Sequence, residues 1–196
     1  MNKFEFGTKE IVATFCSVVL IAVIRFLELD LTALGMMAPE VLEWIIPAIP
    51  IVTLTAVYFG PVAGMLAGIG GNLLKCALFA VYIDYPEVIT LGVYGFFVGM
   101  YFGRMHFDPA RFNGTKFLDF NAVHIMAGVF CAMFLLPMLR FLIQDANLYE
   151  CVISGAKYCV GTTIIIGIVC SLILLIVSYV LAKKREDAVL EHQRSL

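Results

Sequence analysis

The sequence predicts an all-α integral membrane protein: a compact bundle of six transmembrane helices forming one membrane domain over residues 1–196, with both termini cytoplasmic. Three observations carry this. Of the residues, 62% are apolar and 14% charged, against roughly 45–50% and about 25% in soluble domains. A soluble fold of this length still exposes about a third of its chain surface, so it cannot hide that excess from water. Apolar runs near bilayer length recur along the chain, and about 20 residues make one span. Glycines repeat at helical spacing inside those runs, as close helix packing in lipid requires.

The first run covers about 11–27 and ends at Arg25 and Phe26. It is long and lacks a small-residue cleavage site, so it reads as a span and not a removed signal peptide. A loop at 28–40 follows, then a second run at about 41–59, which Pro47 and Pro50 are expected to kink or break. A tight Gly60-Pro61 turn leads into the third run, about 62–81. The fourth covers about 88–103, and a polar stretch at 104–121 separates it from the fifth, about 122–143. The last apolar run, 151–182, exceeds a bilayer, so its start is expected to be interfacial or looped and its span to cover about 155–182.

Basic residues set the orientation. With six spans, Lys3, Lys9, Arg104, Arg111, Lys116, Lys183, Lys184, Arg185 and Arg194 fall on the side of the termini, which is therefore cytoplasmic. Arg25, Lys75, Arg140 and Lys157 fall on the other side, among acidic loops, each at or near a helix end. Two readings stay open for these four. They snorkel and pair with the acids, or they converge on an outward cavity for an anionic or polar solute.

Other features are sorted by the same logic. Gly60, Gly64 and Gly68 repeat at i+4, with Asn72 and Lys75 continuing that face; Gly95, Gly99 and Gly103 repeat likewise. Asn72 needs a partner in an apolar bundle, and a bound solute is one. Trp44 is either an interfacial belt residue or a pocket wall. Tyr82, Tyr85 and Tyr94 are weaker candidates on the same side, while His106 and His124 look unconnected to any ligand set. Ala13 and Ser17 form a small-xxx-small pair, for internal packing or for docking another membrane protein. The six cysteines lie mostly in apolar runs without a CxxC pair, so they read as buried thiols. The net charge of −2 argues against a nucleic-acid partner. No phosphate-binding loop, zinc-protease or nucleophile-elbow motif is present, so no catalytic residue, metal or cofactor is expected and the chain is read as a non-enzyme.

The block Tyr58-Phe-Gly-Pro-Val-Ala-Gly-Met-Leu-Ala-Gly-Ile-Gly-Gly-Asn-Leu-Leu-Lys75 resembles the glycine-rich signature of energy-coupling factor (ECF) transporter S components, in the riboflavin-type group that includes the UPF0397 proteins. Arg25-Phe26, Phe120-Asn121, Pro137, Gly155 and the terminal Leu-Leu-x-x-x-Tyr-x-x-x-Lys pattern extend the resemblance over nearly the whole chain. It implies a subunit that captures a vitamin-like small molecule at the outer face of a bacterial plasma membrane. A transmembrane coupling protein and two ATPases would energise import. Ala13 and Ser17 would then belong to the docking surface, and loop 28–40 to a lid. Solute binding would use Trp44, Asn72 and Lys75, with Arg140, Gln144 and Lys157 opposite. Riboflavin is the first ligand implied. The chain departs from the group's pattern where Arg140 replaces an aspartate and Thr162 an asparagine; an acid replaced by Arg140, with Lys75 and Lys157 nearby, leans toward a solute with a carboxylate or phosphate. Outside the resemblance, a membrane scaffold or assembly protein and an autonomous secondary transporter are the rival readings.

Overall fold

The computed structural model describes residues 7–33, 48–79, 82–104, 112 and 114–194. Six helices and no strand occur among the described residues. They are α1 (Thr8–Ala33), α2 (Ile49–Phe59), α3 (Pro61–Phe79), α4 (Tyr85–Arg104), α5 (Gly114–Gln144) and α6, which runs unbroken from Leu148 to Arg194. By length and apolarity, α1, α3, α5 and α6 are able to cross a membrane. Helix α4 has 20 residues, but its tyrosines, glycines and terminal charges dilute its apolar character. Helix α2 has 11 residues, about 16 Å of rise, well short of a bilayer core.

The boundaries follow local chemistry. Helix α2 starts with Pro50 in its first turn, where a proline needs no N–H partner, so this proline opens the helix instead of kinking it. Gly60 closes α2 at φ 92°, a backbone state that glycine adopts without strain, and Pro61 opens α3 directly after it. Asp84 caps α4 by accepting from Glu87 N–H at 3.4 Å. Asp145, in the left-handed region, ends α5, and the Asn147 side chain accepts from Tyr149 N–H at 3.0 Å to start α6.

That cap starts a helix at Leu148, so of the two expected forms for the start of the last run, interfacial or looped, the loop is excluded. Two more differences concern ends. Helix α1 continues to Ala33, into the segment expected to be a loop, and α5 begins at Gly114, inside the stretch expected to separate two spans. Helices α5 and α6 each carry a π-helical stretch, Val129–Leu135 and Ile166–Cys170.

The glycine stripes do the packing. A Cβ placed on Gly95 would lie 2.4 Å from the Gly64 carbonyl oxygen, and one on Gly68 would lie 2.6 Å from the Leu91 carbonyl oxygen. Helices α3 and α4 therefore touch backbone to backbone, as the i+4 spacing predicts. Gly71 admits Ile21 of α1 in the same way, and Gly155 of α6 sits against the Ala132 carbonyl of α5. The shared core holds Ile21, Val52, Leu91, Val98, Phe120 and Ile166. Four cysteines, Cys131, Cys151, Cys159 and Cys170, are buried as unpaired thiols, whereas Cys16 is exposed and Cys76 half-buried.

Candidate functional site

The antiparallel order gathers the C-terminal ends of α1, α3 and α5 with the N-terminal ends of α4 and α6. The short apolar stems of these helices carry charge just where they meet. Arg25 of α1, 6% exposed, donates to Glu87 of α4. Arg140 of α5 donates to Asp84 at 3.0 Å, and Gln144 one turn later donates to the other oxygen of the same carboxylate at 3.2 Å. The start of α4 is thus an acidic hub that ties α1 and α5 together. Phe26 stacks on Phe79 at 4.5 Å between ring centres, closing α1 against α3 beside it.

Under this charged cover lies a small internal cavity of about 20 Å³, walled by α2, α4, α5 and α6. Thr90 is six residues beyond Asp84 on α4, so the cavity begins about 9 Å beneath the hub. Thr90, Tyr94, Leu136, Tyr158 and Thr162 are among its lining residues, with Gly128, Cys131 and Ala132 from the π-helical region of α5. Carboxylate, ammonium, guanidinium and imidazole groups are missing from the lining. Beneath it, the Tyr94 hydroxyl meets Thr53 Oγ1 at 2.9 Å and bonds to His124 Nδ1, while Thr53 donates to the Ile49 carbonyl at 2.8 Å. This buried polar chain joins α2, α4 and α5 and fixes the tyrosine ring that forms the cavity wall.

A second hollow, about 430 Å³, lies between α4 and α5 and is lined by Phe97, Met100, Tyr101, Val123, Met126, Ala127 and Phe130. Its exposed phenylalanines and methionine face outward, and it presents almost nothing that could orient a polar solute. Among the described residues no cluster of His, Cys, Asp or Glu could hold a metal ion.

The expected site residues divide accordingly. Trp44 and residues 34–40 of the expected lid lie outside the described residues. Arg140 and Gln144 sit together at the hub, engaged with Asp84. Asn72 is 3% exposed, and its Nδ2 lacks a hydrogen-bond partner among the described residues. Lys75, half-buried on the next turn of α3, makes no ion pair among them. Lys157 is half-buried near the start of α6. Ser17 bonds Thr55 of α2 through their hydroxyls at 2.7 Å, and Ala13 is half-buried one turn before it. The pair therefore packs α1 on the bundle, leaving Val12, Phe15, Val19 and Leu20 on its exposed face.

Of the polar residues lining the cavity, Thr90, Tyr94, Tyr158 and Thr162, only Tyr94 was among the sequence candidates. The available signal was two polar pairs at i,i+4, Thr90 with Tyr94 and Tyr158 with Thr162, each on one face of an apolar helix. His124, expected to have no part in a ligand set, is the end of the polar chain.

Comparison with known proteins places these features in context. The family model described as ECF-type riboflavin transporter, S component, matches residues 39–184. A UPF0397 protein of Lactobacillus gasseri is 26% identical over 125 residues, covering 64% of this chain and 68% of the relative. One from an Exiguobacterium species is 28% identical over 133 residues, covering 68% and 70%. One from Staphylococcus aureus is 27% identical over 123 residues, covering 62% and 66%. No solved structure gives a significant match.

Proposed function

The chain belongs to the family of ECF-type riboflavin transporter S components, and from that premise we propose that it captures a vitamin-like small molecule for an ATP-driven importer of a bacterial plasma membrane. The observation that carries the reading is the family match over residues 39–184, beside an end of the bundle where Arg25, Asp84, Glu87, Arg140 and Gln144 gather. The end with the hub is the outer face in this reading, and both termini are cytoplasmic. Residues 1–196 act as one membrane domain, with spans at about 11–27, 41–59, 62–81, 88–103, 122–143 and 155–182.

The division of labour follows from the contacts. Arg140 and Gln144 keep the hub closed over the cavity, because both are engaged with Asp84. Asn72 and Lys75 on α3, Lys157 on α6 and Trp44 are the solute contacts, and segment 28–40 is the lid. Riboflavin is the first ligand to try, since the family's description names it. Energy comes from a coupling protein and two ATPases. The exposed face of α1 beside Ala13 and Ser17 docks on the coupling protein.

Affinity purification of the tagged chain from its own bacterial membranes tests the assignment. A coupling protein and two ATPases in fixed ratio are expected to accompany it. Solute uptake by liposomes containing this chain alone, driven by an ion gradient, would sink the proposal in favour of a secondary transporter.

A further inference from the structure

The charged end of the bundle contains a seat shaped for a carboxylate. Arg140 and Gln144 lie at i,i+4 on α5, which puts both side chains on one face of a continuous helix. Arg140 Nη2 donates to one oxygen of Asp84 at 3.0 Å, and Gln144 Nε2 donates to the other at 3.2 Å. A guanidinium and an amide thus grip the two oxygens of one carboxylate, a charge-assisted arrangement suited to recognising that group in a ligand. Asp84 itself is held differently. It belongs to the non-helical residues 82–84 that precede α4, and its other contact is a long one, 3.4 Å from Glu87 N–H. The donors are fixed on a helix and the acceptor hangs from a chain end, so the acceptor is the part able to leave.

The two ion pairs of the hub also differ in access. The side chains of Arg25 and Glu87 are 7% and 18% exposed, whereas those of Arg140 and Asp84 are 20% and 29% exposed, and Gln144 is exposed. A carboxylate arriving from outside the bundle therefore reaches the Arg140 seat more readily than Arg25. Exchanging one carboxylate for another leaves the guanidinium paired, which avoids the cost of stranding a half-buried charge. A phosphate suits the seat less well, because its second charge would meet no second cation there.

Resting on the capture function proposed above, we propose that Asp84 is an internal stand-in for the solute. The solute carries a carboxylate, and on binding this group takes the place of the Asp84 side chain between Arg140 and Gln144. Asp84 turns out to water, and the tie between α4 and α5 is released. The built-in competitor also sets specificity. Tethered beside its seat, Asp84 acts at an effective concentration of about millimolar or above. A simple carboxylate displaces it poorly, and only a solute with further contacts to the protein prevails.

The test has two arms. The first follows thermal unfolding in acetate, acetamide or inorganic phosphate at constant ionic strength, for wild type, Asp84→Ala, and Asp84→Ala combined with Arg140→Gln. Asp84→Ala vacates the seat, so acetate is expected to raise its unfolding temperature by about 3–6 °C, the shift from one ligand at roughly tenfold its dissociation constant in a chain of this length. Acetamide and phosphate are expected to give no such gain, and neither wild type nor the double variant is expected to respond to acetate. No acetate gain in Asp84→Ala, or the same gain with acetamide or without Arg140, overturns the seat. A gain with phosphate alone overturns the choice of carboxylate. In the second arm, the small molecule retained from the host's membranes is identified and titrated. It is expected to carry a carboxylate, to bind Asp84→Asn about tenfold more tightly than wild type because the competitor is gone, and to bind Arg140→Gln about tenfold more weakly. A purely structural ion pair moves both variants in the same direction, and that result, or a solute without a carboxylate, overturns the proposal. If the chain retains no solute, the capture reading fails and the acetate series alone upholds or overturns the seat.

Discussion

Asp84 is the residue on which the charged end of the bundle depends, and its substitution separates two effects. Its carboxylate caps α4 through Glu87 N–H and holds Arg140 and Gln144 of α5. Unit charges 3.0 Å apart attract by about 5 kcal/mol at an effective dielectric of ~20. The two side chains are 20% and 29% exposed, and desolvation offsets most of the attraction, leaving about 1–2 kcal/mol. Asp84→Asn keeps a capping oxygen and is expected to cost that amount. Asp84→Ala also loses the cap, worth about 1 kcal/mol, and is expected to cost about 2–3 kcal/mol in total. The assay is equilibrium unfolding in mixed micelles, read by the reaction of buried Cys131 and Cys170 with a thiol-specific dye. Arg140→Gln should add little on top of Asp84→Asn, because the pair is already broken. Equal stabilities of Asp84→Asn and wild type, or full additivity with Arg140→Gln, would refute the idea that the hub clamps α4 to α5.

Three further outcomes follow from the packing. Gly95→Ala should destabilise by about 1–3 kcal/mol, as overpacking does, since its Cβ would meet the Gly64 carbonyl at 2.4 Å; Gly103→Ala, with nothing within 4 Å, should be neutral or better. The same unfolding assay decides, and equal effects at the two glycines would contradict the close α3–α4 contact. His124→Leu should cost about 1–3 kcal/mol by leaving the Tyr94 hydroxyl one partner short, whereas His124→Asn, which keeps a polar atom near the Nδ1 position, should recover part of it. Loss of no stability in His124→Leu would show that the polar chain is dispensable. Ser17→Ala should weaken the fold by about 0.6 kcal/mol, a typical interhelical bond in a membrane, measured against Thr55→Val in a double-mutant cycle. Zero coupling between those two positions would remove the α1–α2 bond from the account.

The fold was legible because its strongest signals are local. Glycines at i+4 announce backbone contact whichever helix provides the partner, and Gly64, Gly68 and Gly95 make it. Proline and glycine at 60–61 mark a boundary from their own backbone preferences. Ends were less legible: the Asn147 cap and the extension of α1 to Ala33 depend on a few tenths of a kcal/mol per residue, and apolar pattern alone does not resolve them. The site was read in part. Charge at the helix ends showed which end of the bundle is charged, but the pairing of Arg140 with Asp84, 56 residues away, is long-range information. Without it the guanidinium looked available to an anion.

The central claim is solute capture, and native mass spectrometry of the chain released from its own membranes tests it most directly. The account predicts one small molecule retained per chain. A chain that flies without any small-molecule adduct, and that gains none on incubation with a methanol extract of the same cells, would contradict it.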